Sequence, residues 1–236
     1  MEFLTVREMN DRLTHNHVTE SAEQHKYARL SMASYYYTNQ TFVQEELFAY
    51  MPELQGYAID TSLSTEEHSI FHNTSTGETV ISFRGTSNLS DVKTDSHIAL
   101  GREKHSERYK NSEKVYTDVS QKYRQDGITV VGHSLGGGIA LHIGEKYDVA
   151  SRTYNPAISP TQALSRDHYS NEATQTIYRT RLDPVSVGGE VIAGNRQPNR
   201  RVVVVGNHEN HHAHSLENFF DNDAKRNGDG TFNVKQ

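Results

Sequence analysis

Ile128-Thr129-Val130-Val131-Gly132-His133-Ser134-Leu135-Gly136-Gly137 is the stretch on which the fold turns. Its first four residues are all β-branched and read as a short buried strand. From Gly137 to Tyr147 the positions Ile139, Ala140, Ile143 and Tyr147 recur at helical offsets, so a helix leaves where the strand stops. Between the two sits Gly-x-Ser-x-Gly, a pattern that makes a sharp strand-to-helix turn and presents the serine hydroxyl above a sheet. Glycines alone could serve merely to make a turn. The apolar strand on one side and the small-residue helix on the other supply the context that the chemical reading of Ser134 requires. The start of the helix also brings main-chain donors and a positive dipole end close to any oxyanion formed at that serine.

Working outward, the residues from Glu20 to Tyr37 carry Ala22, Tyr27, Leu30, Ala33 and Tyr37 at helical spacing, with Asn39 as a stop. Gly56–Asp60, Ser69–His72 and Thr79–Arg84 read as strands, and Asn73–Gly77 as a hairpin turn joining the last two. Thr79–Arg84 is the most apolar of these and is expected at the centre of the sheet. The segment 96–111 is dense in charge and histidine, with Ile98, Ala99 and Leu100 as its apolar island, and reads as a surface loop or a lid. A helical pattern follows around Val115, Val119 and Tyr123. Further strands are expected at Ala150–Tyr154, Thr176–Arg181 and Val202–Val205, and a helix from Ser215 to Arg226 before the turn-rich Asn227–Gly230. Strands alternating with helices predict an α/β fold, a largely parallel central sheet with helices on both faces. No linker or internal repeat divides residues 1–236, so one domain is expected.

Composition narrows the function classes. Hydrophobic residues make up 34% of the chain and the mean hydropathy is -0.76, which predicts a polar surface, while 13 tyrosines supply core material that a disordered chain would lack. A formal charge of -6 gives no general attraction to nucleic acid, so nucleic acid is not an expected partner. The absence of cysteine removes disulfides, thiolate metal sites and thiol nucleophiles together. The N-terminus Met1–Glu8 carries acidic residues and no apolar core of signal-peptide length, and no apolar run is long enough to span a bilayer, so a cytoplasmic location is expected. The sequons at Asn39, Asn73 and Asn88 are given no role.

A serine hydroxyl is a weak nucleophile near neutral pH and needs a base to take its proton and a carboxylate to orient that base. The acidic candidates downstream are Glu145, Asp148, Asp167, Glu172, Asp183 and Glu190. Asp183 stands out because it follows the strand pattern Ile177–Arg181 and precedes Pro184, where the chain must turn. For the base, His208, His211, His212 and His214 crowd together after Val202–Val205, and spacing alone does not choose among them. Histidines three apart, at 208, 211 and 214, could share one helical face and hold a metal. The Asn and Gly residues around them argue for a loop, so no metal and no cofactor are expected. Asp221-Asn222-Asp223 opens like a calcium loop, but Lys225 and Arg226 occupy places where a ligand and a glycine are required. His133 reads as a packed neighbour of Ser134 rather than a second base.

Several of these blocks together resemble the class 3 lipases, the fungal-lipase-like branch of the α/β-hydrolases. Val80-Ile81-Ser82-Phe83-Arg84-Gly85-Thr86 looks like that family's strand and oxyanion segment, Gly132–Gly137 is similar to its G-H-S-L-G-G turn, and Thr153-Tyr154-Asn155-Pro156 resembles its following strand. Leu182-Asp183-Pro184-Val185 looks like its acid motif, and His214-Ser215-Leu216-Glu217-Asn218-Phe219 resembles H-x-L-x-x-[YF], which selects His214 as the base. The resemblance runs from about Tyr27 to about Phe220. It implies an α/β-hydrolase fold, with Ser134, Asp183 and His214 as nucleophile, acid and base. It also implies that the main-chain N–H groups of Thr86 and Leu135 form the oxyanion hole, with Asp91 or Asp95 orienting the former's loop. The implied activity is cofactor-free hydrolysis of a carboxylic ester in a lipid-like substrate, of triacylglycerol lipase or phospholipase A1 type, with transient contact at a membrane surface. A short, polar lid at 95–105 implies weak interfacial activation. A soluble short-chain carboxylesterase and a non-catalytic binding module on the same fold are the competing readings.

Overall fold

A computed structural model describes residues 22–36, 54–85, 107–158, 174–180, 183–186, 201–205, 212–219, 224–226 and 232–234. The expected lid at 95–105, together with Thr86, Asp91, Asp95, His208 and His211, lies outside the described residues. Among the described residues no helix is long and apolar enough to cross a membrane.

The elements in chain order are α1 (Ala22–Tyr36), β1 (Tyr57–Ile59), β2 (His68–Asn73), β3 (Thr79–Phe83), α2 (Glu107–Lys122), β4 (Ile128–His133), α3 (Leu135–Tyr147), β5 (Ala150–Tyr154), β6 (Gln175–Thr180), β7 (Arg201–Val205), β8 (Ala224–Arg226) and β9 (Phe232–Val234). The first seven strands form one sheet whose spatial order is the chain order. β1, β2 and β3 pair antiparallel, and β3 to β7 pair parallel throughout. The β2–β3 connection is the expected turn: Asn73 Oδ1 accepts the N–H groups of Ser75 and Thr76 at 2.9 and 3.1 Å, and Gly77 takes the positive φ of 77° that closes it.

Strand alternation builds a core on each face of the sheet. Phe71, Val80, Val131, Tyr154 and Tyr178 pack on α1 and on Leu216 and Phe219. Their immediate neighbours Ile70, Ile81 and Val130 point the other way, onto Tyr116 and Val119 of α2 and Ile139 and Ile143 of α3. The sheet is therefore covered on both faces, as the strand and helix pattern predicts. Glu113 ties α2 to α3, accepting from His142 at 2.9 Å and from Lys146 at 2.6 Å.

Three expectations change. β4, not β3, holds the middle position; both are buried along their whole length, so composition does not distinguish them. The charged segment 96–111 is helical from Glu107, because Tyr109 and Ser112 bury into α2's packing face ahead of the more apolar turns. The helix expected over 215–226 is a short 3-10 turn, Leu216–Phe219, followed by β8, which pairs antiparallel with β9. Leu216 and Phe219 are drawn into the core with only that turn between them, and the pairing of β8 with β9 outcompetes continued helix.

Ile81→Ala empties a fully buried position between β2 and β4. It is expected to lower the unfolding free energy by about 2–5 kcal/mol, read as a fall in the urea midpoint at unchanged slope. Leu63→Ala, at a half-buried side chain on the same cluster, is expected to lose no more than about 1 kcal/mol.

Candidate active site

The carboxyl ends of the parallel strands lie along one edge of the sheet, and the chemically interesting residues gather there. β4 runs into Ser134, whose φ of 56° and ψ of -125° are costly for a residue with a side chain. The turn survives because the serine's main-chain N–H and carbonyl are both engaged. Ser134 donates its N–H to the Tyr154 carbonyl at 3.1 Å, and its own carbonyl accepts the N–H groups of Gly138 at 3.0 Å and Ala157 at 2.9 Å. Close backbone approach then excludes any side chain at two positions: a Cβ on Gly132 would collide with the Gly136 carbonyl, and one on Gly136 would collide with that of Phe83. Leu135 opens α3 directly after the serine, so its N–H belongs to the first helical turn, where donors lack partners within the helix.

The structure brings Ser134, Asp183 and His214 together. Ser134 Oγ lies 2.9 Å from His214 Nε2, and His214 Nδ1 lies 2.9 Å from Asp183 Oδ1. All three are buried, Asp183 completely. A carboxylate can only accept, so Nδ1 carries the ring proton and Nε2 is left to accept from the serine hydroxyl. Asp183 is itself held in place: Ser186 donates to Oδ2 from its hydroxyl at 2.6 Å and its N–H at 2.9 Å, and the Val185 N–H reaches Oδ1 at 3.3 Å. Burial pushes the Asp183 carboxyl up, but the hydrogen bond and charge of His214 together with the Ser186 donors outweigh it and hold the group below its ordinary value. Such an arrangement can remove a proton from the serine, store it on an imidazole facing a carboxylate, and return it.

The loop that carries His214 is pinned by two consecutive carbonyls. The Ala213 carbonyl accepts from Asn155 Nδ2 at 2.9 Å and from the Thr180 hydroxyl, and Asn155 Oδ1 accepts the Thr180 N–H at 2.9 Å. Asn155 reaches this position from a φ of 42° just past β5. The His214 carbonyl accepts from His133 Nε2 at 2.8 Å. Neither Thr180 nor Ser186 was singled out from the sequence, and Asn155 entered only as part of a strand motif; their hydrogen-bond partners are distant in the chain or depend on a turn, so no local pattern marks them. Of the other candidates, His212 is exposed, and its carbonyl accepts from Ser215 N–H and Asn218 Nδ2 at 2.8 Å each. Among the described residues no group of three or more His, Asp or Glu side chains is arranged to hold a metal.

Residues 26–219 match the model of a phospholipase-like family, the Tle-like phospholipase domain. The chain belongs to that family. This Tle-like domain is thereby a carboxylic ester hydrolase of the lipase and phospholipase type, in agreement with the class 3 lipase resemblance of its motifs. Among solved structures it is similar to the nonglycosylated Lip2 lipase of Yarrowia lipolytica, at 17% identity over 83% of this chain and 82% of that one, with a TM-score of 0.50. That likeness shows the fold, an α/β-hydrolase. A second structure of Lip2 lipase from the same yeast matches at 17% identity, covering 83% and 81% of the two chains with a TM-score of 0.49. A lipase of Rhizopus microsporus var. chinensis matches at 17% identity, covering 69% and 68%, with a TM-score of 0.40. No curated protein matches the chain.

The depressed Asp183 carboxyl makes a stability prediction. A group lowered on folding contributes stability that is complete above its unfolded value, about 3.9, and is lost as pH falls through the folded one. The difference in urea midpoint between wild type and Asp183→Asn is therefore expected to be constant near neutral pH and to shrink below about pH 4. A difference that stays flat into the acid range would contradict it.

Proposed function

We propose that this chain hydrolyses acyl ester bonds of phospholipid-like substrates through an acyl-enzyme on Ser134. The observation that carries the reading is the unbroken line from Asp183 through His214 to Ser134, with 2.9 Å at both contacts. In the first half-reaction Ser134 Oγ bonds to the ester carbonyl carbon as His214 Nε2 takes the hydroxyl proton. The carbonyl electron pair moves onto its oxygen, where the Leu135 N–H at the start of α3 and the Thr86 N–H donate to it. The tetrahedral species collapses, the ester C–O bond breaks, and His214 gives its proton to the departing alcohol. Water then repeats the sequence on the acyl-serine, its proton going to His214 and on to Ser134 Oγ as the carboxylic acid leaves. Asp183 keeps the imidazole in the required tautomer and stabilises its protonated form throughout. No cofactor has a part in this cycle.

The family description supports an ester of a lipid as substrate, and access to such a substrate implies transient contact with a membrane or micelle surface. The decisive assay measures release of fatty acid from phosphatidylcholine vesicles and hydrolysis of chromogenic acyl esters of rising chain length. Ser134→Ala is expected to lower kcat by about 10⁶-fold, and Asp183→Asn by about 10⁴-fold. Activity on short soluble esters with none on vesicles would favour a carboxylesterase instead. A wild type inert on both, and unlabelled by a fluorophosphonate serine probe, would remove the catalytic reading.

A further inference from the structure

His133 sits between two elements that the ester hydrolysis proposed above needs held apart by a fixed distance. Its ring is almost wholly buried, tilted against that of His214 with centroids 4.8 Å apart. Nε2 faces the main-chain carbonyl of His214 at 2.8 Å; a carbonyl only accepts, so Nε2 carries the proton. Burial above all, and next the charge of His214, push His133 down to about 3, so the ring is neutral and Nδ1 is an acceptor. Tyr35 of α1 lies 3.0 Å from that atom and therefore donates its hydroxyl proton there. The Tyr35 oxygen in turn accepts the N–H of Gly85 at 3.2 Å, at the end of β3. Gly85 has to be glycine for this: a Cβ there would collide with the Tyr35 hydroxyl and stand 2.7 Å from the His133 carbonyl.

We propose that His133 and Tyr35 are positioning residues for the reaction. One chain of hydrogen bonds, Gly85 N–H to Tyr35 Oη, Tyr35 O–H to His133 Nδ1 and His133 Nε2–H to the His214 carbonyl, sets the base loop against the strand end that leads to Thr86. The inference rests on the reading of Ser134 as nucleophile and of His214 as its base. Its hydrogen bonds end on main-chain groups and on one another, and none of them goes to the Ser134 hydroxyl or to the ring nitrogens of His214. What the chain of bonds controls is where the His214 backbone stands, and hence whether Nε2 meets Ser134 Oγ. A neutral ring suits the place, because His214 becomes an imidazolium during each half-reaction and a second cation packed against it would oppose the transfer. The bland alternative is that His133 only fills space under His214. That alternative predicts that a ring of similar size without nitrogen will serve equally well.

The test uses His133→Phe, which keeps the ring and removes both hydrogen bonds. His133→Gln is its conservative partner, restoring an N–H near the Nε2 position. Tyr35→Phe is a milder variant that loses only the hydroxyl. Each is assayed in the full chain on a chromogenic acyl ester, with rates referred to folded protein from its cooperative urea transition, beside Ser134→Ala. Small misplacements of a reacting group reach about 100-fold in rate. Accordingly kcat is expected to fall about 100-fold in His133→Phe and about tenfold in Tyr35→Phe, with KM within about twofold, and His133→Gln is expected to recover to within about fivefold of wild type. If Tyr35→Phe and folded His133→Phe keep the wild-type kcat, if their losses lie wholly in KM, or if His133→Gln is no better than His133→Phe, the positioning role is overturned. If His133→Phe does not fold, Tyr35→Phe and His133→Gln decide by the same criteria. Ser134→Ala separates the two levels: with that variant inactive, a failure belongs to the positioning proposal alone, whereas a fully active Ser134→Ala removes the nucleophile and this inference with it.

Discussion

Parallel pairing from β3 to β7 obliges five consecutive strands to end on the same side of the sheet. Everything chemical in this molecule hangs from those ends: Gly85 after β3, Ser134 after β4, Asn155 after β5, Thr180 and Asp183 at and after β6, and the His214 loop after β7. A parallel ladder requires crossovers to return the chain to its start, and the crossovers between β3 and β4 and between β4 and β5 run through α2 and α3, which pack on one face while α1 packs on the other. Covering both faces buries β4 completely. A buried central strand is rigid enough to hold a serine in a backbone conformation that an exposed turn would relax out of.

The site shows how such strain is stabilised. Around Ser134 the local backbone is unfavourable, and compensation comes from carbonyl and N–H partners supplied by β5 and α3 and from contacts close enough to exclude a Cβ at Gly132 and Gly136. The same economy appears around His214. A loop histidine would ordinarily sample several positions, but here donors from the ends of β4, β5 and β6 fasten the carbonyls of Ala213 and His214. Beneath the loop, Phe219 closes edge-on against Tyr154 at 5.1 Å, so the apolar core supports it from below while polar bonds hold it from the side.

Electrostatically the site separates two imidazoles by environment. His214 faces a carboxylate that remains ionised because every nearby donor favours its charge. His133, a few ångströms away, is kept neutral by burial. Two histidines in contact thus stand in different surroundings, one against a carboxylate and one enclosed by the core.

The local signals were legible in the sequence because they depend on near neighbours. A β-branched run into Gly-His-Ser-Leu-Gly, an Asp before Pro after a strand, and alternating strands and helices each follow from steric and hydrogen-bond preferences within a few residues; they gave the fold class and singled out Ser134 and Asp183, which the structure brings into one hydrogen-bonded line with His214. The choice of His214 over His208, His211 and His212 needed a motif resemblance, because spacing does not separate four histidines in one short segment. What the sequence could not contain was the outcome of competition over distance. The 3-10 turn at Leu216–Phe219 replaced a helix because the core drew in those two side chains. β4 rather than β3 became the centre because strand order is a property of the whole sheet. Tyr35, 98 positions from the histidine it bonds, is not among the helically spaced positions that the sequence of its segment marks. Only tertiary packing turns its hydroxyl toward His133 and Gly85, since a hydrogen bond between such distant residues is decided by where the elements carrying them come to rest.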